Sequence, residues 1–392
     1  MINDVSWTPP PPSVPPSPSL SPVLFSVAMP VVSSSTTLSE ACSDTPMVLL
    51  SSLSVAIGRR VYAKADYLLP SGSVKDRPVR SMVAAAAAAP GGVPNKTFIE
   101  ATAGNTGLAL AHALAGTEYR LIVTMPEGAP ATLRDSCTAL GATVRLGNGS
   151  AVYGDDDHFQ TMAEAAAARG EGLYLNQFEA PANRAVHEAE TGPQILSAVP
   201  DLSAFVIATG TGGTAAGVGA YLATASPTTR LVVTRVQGQK VTFEADGEGG
   251  MRGRLRSPEE VTEAGEASTV LKGVGSSRMY GNLKAAEPLV RGQVAMGPTG
   301  DVHSLHMCHA LARHEGLLVG GSAGANVVAA AAYALTLPEG SAVATLLCEG
   351  GNKYTDTVFC QAWCAERSLP TGPAADDWSW MHNLTGLVVT EA

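Results

Sequence analysis

Between residues 97 and 208 the chain repeats one unit: a short apolar run, a tight loop of small and hydroxylated residues, then an alanine-rich amphipathic segment. The runs at 97–101, 120–124 and 143–146 read as strands, and the segments at 108–114, 131–140 and 159–169 read as helices. Strands that alternate with helices pair in parallel through right-handed crossovers, because each helix carries the chain back to the starting end of the sheet. A second series, with strands at 205–208, 231–236, 317–319 and 342–347, repeats the pattern. Two shorter strands at 47–50 and 61–65 and a helix at 80–89, stopped by Pro90-Gly91-Gly92, precede both. The expected fold class is α/β, with two doubly wound lobes on mainly parallel sheets.

A chain of 392 residues, 45% apolar and 15% charged, is long enough to bury two such lobes. A net charge of −10 and the absence of grouped Lys and Arg argue against nucleic acid as a partner. No apolar run is long enough to span a bilayer. Residues 1–40 are rich in Pro and Ser and read as a disordered leader. Arg59 is the first basic side chain, so neither a positive secretory n-region nor an Arg-rich presequence is present, and Met29 is a second candidate start. Six cysteines without zinc-type pairing suit a reducing compartment; Cys360 and Cys364, one helical turn apart, read as buried small residues. Asp155, Asp156 and Asp157 lack the ligand spacing of a calcium loop, and no metal is expected. His303, His306 and His309 turn too far around a helix to share a metal and are expected to face solvent, as is the charged stretch 242–269.

Four loops carry groups suited to chemistry. Ser71-Gly72-Ser73-Val74-Lys75-Asp76-Arg77 sets a lysine at a helix start beside small residues. A desolvated lysine amine is nucleophilic and forms a Schiff base with a carbonyl, although the same turn also suits a plain helix start. Gly210, Thr211, Gly212, Gly213 and Thr214 follow a strand and open a helix, which makes a phosphate cradle of converging N–H groups. Ala215 breaks the dinucleotide fingerprint, and no Walker lysine follows. Thr102-Ala103-Gly104-Asn105-Thr106-Gly107 offers donors for a carboxylate or a simple helix cap, and Gly320-Gly321-Ser322-Ala323-Gly324-Ala325-Asn326 places Ser322 to meet a ligand.

These loops in this order, with Asn176-Gln177-Phe178, Asn183, His187 and Glu190-Thr191-Gly192-Pro193 between them, resemble the signature segments of the cysteine synthase and cystathionine β-synthase family of pyridoxal-phosphate enzymes. The resemblance runs from about residue 44 to 369, and the stretch from Glu349 to Trp363 is similar to the cysteine synthase-like branch. It implies a tryptophan synthase β-like arrangement, fold type II: a smaller mobile substrate lobe from 47–68 and 80–181, a larger cofactor lobe from 41–46, 69–79 and 182–370, and a tail at 371–392. It implies that Lys75 holds pyridoxal 5'-phosphate as a Schiff base and serves as the α-proton base. Asn105 would lie beside the cofactor's 3'-oxygen, residues 210–214 would hold its phosphate, and Ser322 would face the pyridine nitrogen. Thr102, Gly104, Thr106 and Gln177 would bind the amino acid's carboxylate, and the Gly273-Val274-Gly275 turn would flank the substrate. Ala103, in the same substrate loop, stands where many members have Ser and removes one donor.

A neutral serine beside the ring nitrogen makes a shallower electron sink than an aspartate, which favours expulsion of a β-substituent. The expected reaction is β-replacement, making L-cysteine from O-acetyl-L-serine and sulfide through an aminoacrylate. Cystathionine β-synthase chemistry with a thiol, or a serine or cysteine β-eliminating lyase, would use the same residues. A catalytically silent cofactor-binding sensor is the alternative of another class. The family further suggests a homodimer and a cytoplasmic or organellar location.

Overall fold

The computed structural model describes residues 44–392, so the Pro/Ser-rich leader, Met29 and Cys42 lie outside the described residues. Two sheets, one mainly and one wholly parallel, organise the chain. The larger has seven strands in the order β1 (Met47–Leu49), β2 (Arg60–Lys64), β12 (Ala342–Leu346), β7 (Leu202–Ala208), β8 (Arg230–Arg235), β11 (Val290–Ala295) and β13 (Val388–Glu391). All its central pairs are parallel, and only β1 and β13, at its two edges, run antiparallel to their neighbours. The smaller sheet is wholly parallel, in the order β5 (Thr143–Gly147), β4 (Arg120–Pro126), β3 (Thr97–Ala101), β6 (Leu173–Tyr174).

Strand periodicity explains why both faces of each sheet are covered. Along β7, Ala204 and Val206 point into one apolar cluster with the helices Gly300–Ala310 and Gly321–Ala334. Phe205 and Ile207 point into the opposite cluster with the helix Gly213–Ala225. Successive side chains leave a strand on opposite faces, so a strand buried on both must be apolar throughout. Each such Val, Ile or Phe contributes about 1.5–3 kcal/mol. The smaller sheet repeats the logic: Phe98 packs with Val79, Met82 and Leu110, while Ile99 packs with Ala163 and Ala166.

Several sequence expectations need correction. The 47–68 stretch, expected in the smaller lobe, belongs to the larger sheet, because β2 pairs with β12 in the register Val61↔Val343. The 371–392 tail supplies β13, which closes the β11 edge and is tied down by Glu391 accepting from Tyr333 Oη at 2.7 Å. Residues 317–319 form no strand; Val319 makes one isolated bridge to Gly350. The 242–269 stretch forms the hairpin β9 (Val241–Ala245) and β10 (Met251–Leu255), with Val241, Phe243 and Met251 buried in the larger lobe. His303, His306 and His309 do not face water: the first two lie against Trp380 and the third against Phe359. Trp380 and Phe359 both lie well beyond this helix in sequence, so the helical periodicity of the histidines says nothing about what covers them.

Glu100 in β3 is fully buried; one carboxylate oxygen accepts from the backbone N–H of Gln177 at 3.4 Å, and the other has no partner among the described residues. Burial raises its pKa from the ordinary 4.5 to about 8, against a smaller lowering by the Gln177 N–H. A folded-state pKa above the unfolded one stabilises the fold fully below about pH 4.5 and loses that contribution as pH climbs through about 8. We expect wild-type stability to fall across that window by up to about 1.4 kcal/mol per pH unit from this group. Glu100→Gln should flatten the fall, and thermal melts of both proteins between pH 5 and pH 8.5 that run parallel would refute this assignment.

Candidate functional site

The lysine turn is built by side chains that hold its backbone. Asp76 Oδ2 accepts from the Ser71 N–H at 2.9 Å and from Ser71 Oγ at 2.8 Å, which folds residues 71–76 back on themselves. Arg77, completely buried, donates through Nε to Asp66 Oδ2 at 2.9 Å and through Nη2 to Asp66 Oδ1 at 3.1 Å, and it also reaches Glu190. Lys75 thus caps the helix Asp76–Ala88 from a pinned turn. Its ammonium has no hydrogen-bond partner among the described residues and points into the cleft between the two sheets, which Lys75 lines together with Asn105, Gly210, Thr211 and Gly273.

The loop after β12 laces this turn to the others. Cys348 O accepts from the Val74 N–H at 2.8 Å, Gly72 O accepts from the Gly350 N–H at 3.2 Å, and Glu349 O accepts from the Gly320 N–H at 3.1 Å. Ligands of open α/β sheets gather at the carboxyl ends of parallel strands, where β12 ends here.

Gly212 occupies the left-handed region at φ 88° and starts the helix Gly213–Ala225, whose first turn lines the cleft through Thr214 and Ala215, while the Gly213 N–H donates to Thr211 Oγ1 at 3.3 Å. At Gly213 a Cβ would sit 2.1 Å from Asn183 Oδ1, so only glycine lets the helix start approach that side chain. Asn183 in turn donates to Gln177 O at 2.7 Å and to Thr211 Oγ1 at 3.2 Å. His187 lies behind the cradle, 3.3 Å from Thr214 Oγ1 and 2.9 Å from Thr191 Oγ1. Burial, then the charges of Arg77 and Lys75, hold its pKa well below the ordinary range and keep it neutral.

On the smaller sheet's side, Thr102 Oγ1 accepts from the Gly104 N–H at 3.0 Å, and Thr106 Oγ1 donates to Gln177 Oε1 at 2.7 Å. Gln177 Nε2 donates to Ala101 O at 3.0 Å. These residues with Ala103 line the cleft opposite Gly273, whose turn is held by Ser276 Oγ donating to Gly210 O at 2.5 Å. The structure therefore brings Lys75, Thr102, Ala103, Gly104, Asn105, Thr106, Gln177, Gly210, Thr211 and Gly273 to one cleft, with Gly212, Thr214 and Ser322 at its deep end. Gly213 stands just behind, against Asn183.

Three further residues meet the site without having been singled out from sequence. Glu349, 2% exposed, accepts from Ser322 Oγ at 3.1 Å, from Tyr354 Oη at 2.7 Å and from Asn105 Nδ2. Lys353 Nζ donates to Asn105 Oδ1 at 2.9 Å and to Gly72 O at 3.2 Å. Burial lowers its pKa, against the pull of Glu349 and Asp76. Their signal in the sequence is their place just past the end of β12.

The residues present fit a phosphate-bearing aldehyde. The cradle offers N–H and hydroxyl donors with no acidic side chain among residues 210–214, and the unpaired Lys75 amine faces the same cavity. Pyridoxal phosphate bound there would supply an electron sink at the substrate's α-carbon.

Comparison with known proteins agrees. Residues 38–349 match the family model described as pyridoxal-phosphate dependent enzyme. The chain is 33% identical to cysteine synthase 1 of Emericella nidulans over 85% of this chain and 86% of that one. It is also 33% identical to cysteine synthase 1 of Neurospora crassa, over 85% of each. Among solved structures, an O-ureido-L-serine synthase superposes with a TM-score of 0.70 at 28% identity, covering 85% of this chain and 100% of that one. An O-acetylserine-dependent cystathionine β-synthase from Helicobacter pylori gives 0.68 at 28% identity, over 83% and 98%. With its cradle, its free lysine and this match over most of its length, the chain belongs to the pyridoxal-phosphate dependent enzyme family.

Proposed function

We infer that the protein is a cysteine synthase, a pyridoxal-phosphate transferase that joins O-acetyl-L-serine and sulfide to give L-cysteine and acetate. The single observation that carries this reading is the convergence of Lys75, the 210–214 cradle and the 102–107 loop on one cleft, in a chain similar over most of its length to cysteine synthases. Lys75 would hold the cofactor's aldehyde and serve as the base for the α-proton. Thr102, Gly104, Thr106 and Gln177 grip the substrate carboxylate. The Thr106 to Gln177 hydrogen bond joins β3's loop to the 176–178 loop and fixes the Gln177 amide, whose Nε2 keeps one proton for a carboxylate besides the one it gives Ala101 O. The smaller sheet's side of the cleft would move onto the bound amino acid and exclude water, which would protect the substrate from hydrolysis once acetate has left.

No helix among the described residues is long and apolar enough to cross a membrane. The proposed setting is cytoplasmic, the proposed assembly a homodimer.

The test is the visible absorption of the purified yellow protein. O-acetylserine should move its band to longer wavelength, sulfide should restore it, and cysteine should appear in the same amount as acetate. A yellow protein that ignores O-acetylserine, or that releases pyruvate from serine without sulfide, would move the assignment to another β-replacing or β-eliminating enzyme.

A further inference from the structure

The deep end of the cleft holds a buried acid that the sequence reading did not place there. Glu349 is 2% exposed, and three neutral donors converge on it: Ser322 Oγ at 3.1 Å, Tyr354 Oη at 2.7 Å and Asn105 Nδ2. Three donors suit a carboxylate that is acceptor-only. The Lys353 amine feels the charge of Glu349 but is committed to Asn105 Oδ1 and Gly72 O, and among the described residues no ion pair reaches Glu349. Its direct hydrogen bonds all come from neutral donors, so a positive charge relayed through Ser322 adds to the more distant one of Lys353.

The serine is the second observation. A hydroxyl has one proton and two lone pairs, and the proton of Ser322 goes to Glu349. What Ser322 Oγ still offers to the cavity is a lone pair. A ring nitrogen without a proton also presents a lone pair, and two lone pairs repel.

We propose that Glu349 is a positioning residue that, through Ser322, keeps the cofactor's ring nitrogen protonated, with the N–H donating to Ser322 Oγ and the Ser322 hydroxyl donating to Glu349. The site is then a deeper electron sink than a serine alone provides, contrary to the expectation from the residue type. Tyr354 and Asn105 hold the carboxylate in place, and the isolated bridge between Ser73 and Glu349 ties it to the lysine turn. The inference rests on the reading that the cofactor's ring nitrogen faces Ser322.

The test loads the full chain with pyridoxal phosphate labelled with ¹⁵N in the ring and records the nitrogen resonance of the resting protein. In the wild type it should sit at the protonated position, in Glu349→Gln it should move to the unprotonated position, and Glu349→Asp should restore it. An unprotonated wild-type resonance, or one that does not move in a folded Glu349→Gln that keeps its yellow band, overturns the proposal. If Glu349→Gln does not fold, the wild-type resonance decides alone. A wild-type protein that stays colourless with added cofactor overturns instead the placement of the cofactor in this cleft.

Discussion

Lys75→Ala should fold normally and lose cysteine synthesis by at least about 10³-fold, the upper part of the range for removing a general base, because the same amine also holds the cofactor. Its ammonium has no partner among the described residues and lines the cleft, so its truncation breaks no packing and leaves no buried group unpaired. Melting temperature should therefore stay within the small range expected of surface changes. Borohydride reduction followed by peptide mass analysis should fix the cofactor on the 71–77 segment in the wild type and nowhere in the variant. A Lys75→Ala protein with undiminished activity would remove this residue from the chemistry while leaving the fold untouched.

Asp66→Ala should be the most damaging single change to stability, at about 3–5 kcal/mol, the usual cost of leaving a buried charge without its partner. Asp66 is 0% exposed and accepts from Arg77 through both oxygens and from Thr45 Oγ1 at 2.5 Å. Lys64, also 0% exposed, depends on it as well: burial lowers the Lys64 pKa to about 8, and Asp66 is the largest influence in the other direction. Removing one carboxylate therefore leaves two buried cations facing each other. Guanidinium denaturation of the wild type, Asp66→Asn and Asp66→Ala should rank them in that order, and a loss below about 0.5 kcal/mol for Asp66→Ala would show that the other partners of Arg77, Glu190 and Thr45 among them, suffice to hold it. Because Arg77 lies two residues past Lys75, a folded remnant should also bind cofactor poorly.

The parts of this fold that were legible in the sequence are those whose burial is uniform along a strand. β7, β8 and β12 are apolar over 204–208, 231–233 and 342–344 because both faces are covered, and the loops after β3 and β7 announce themselves by Gly, Thr and Asn at strand ends. β11 was missed because Arg291, Gly292 and Gln293 interrupt its apolar pattern. The structure shows why this is tolerated: Gln293 Oε1 accepts from the Phe243 N–H at 2.9 Å and its Nε2 donates to Thr242 Oγ1 at 3.1 Å, so the buried amide is satisfied. The lobe to which β2 belongs was illegible for a different reason. Its parallel partner β12 lies almost the whole chain away, and no local pattern encodes such a pairing. The site divides the same way. Donor-rich loops can be read as binding loops from residue type and spacing, whereas Glu349 gains its meaning only from Ser322, Tyr354 and Asn105, which reach it from three separate segments.

The pairing of β2 with β12 also governs when the site can exist. The lysine turn follows β2 directly, yet the strand and the turn are completed only by residues 342–350. Contacts of such long sequence separation form late, since the loop-closure cost must be met before they reward it. During synthesis the smaller sheet, made from residues 97–174, has all its strands early and can collapse as a unit. Lys75 must wait, with its flanking strand unpaired on one side, until nearly the whole polypeptide has left the ribosome. A nascent or truncated chain ending before residue 342 therefore exposes that strand to unwanted pairing and offers the aldehyde cofactor no organised pocket.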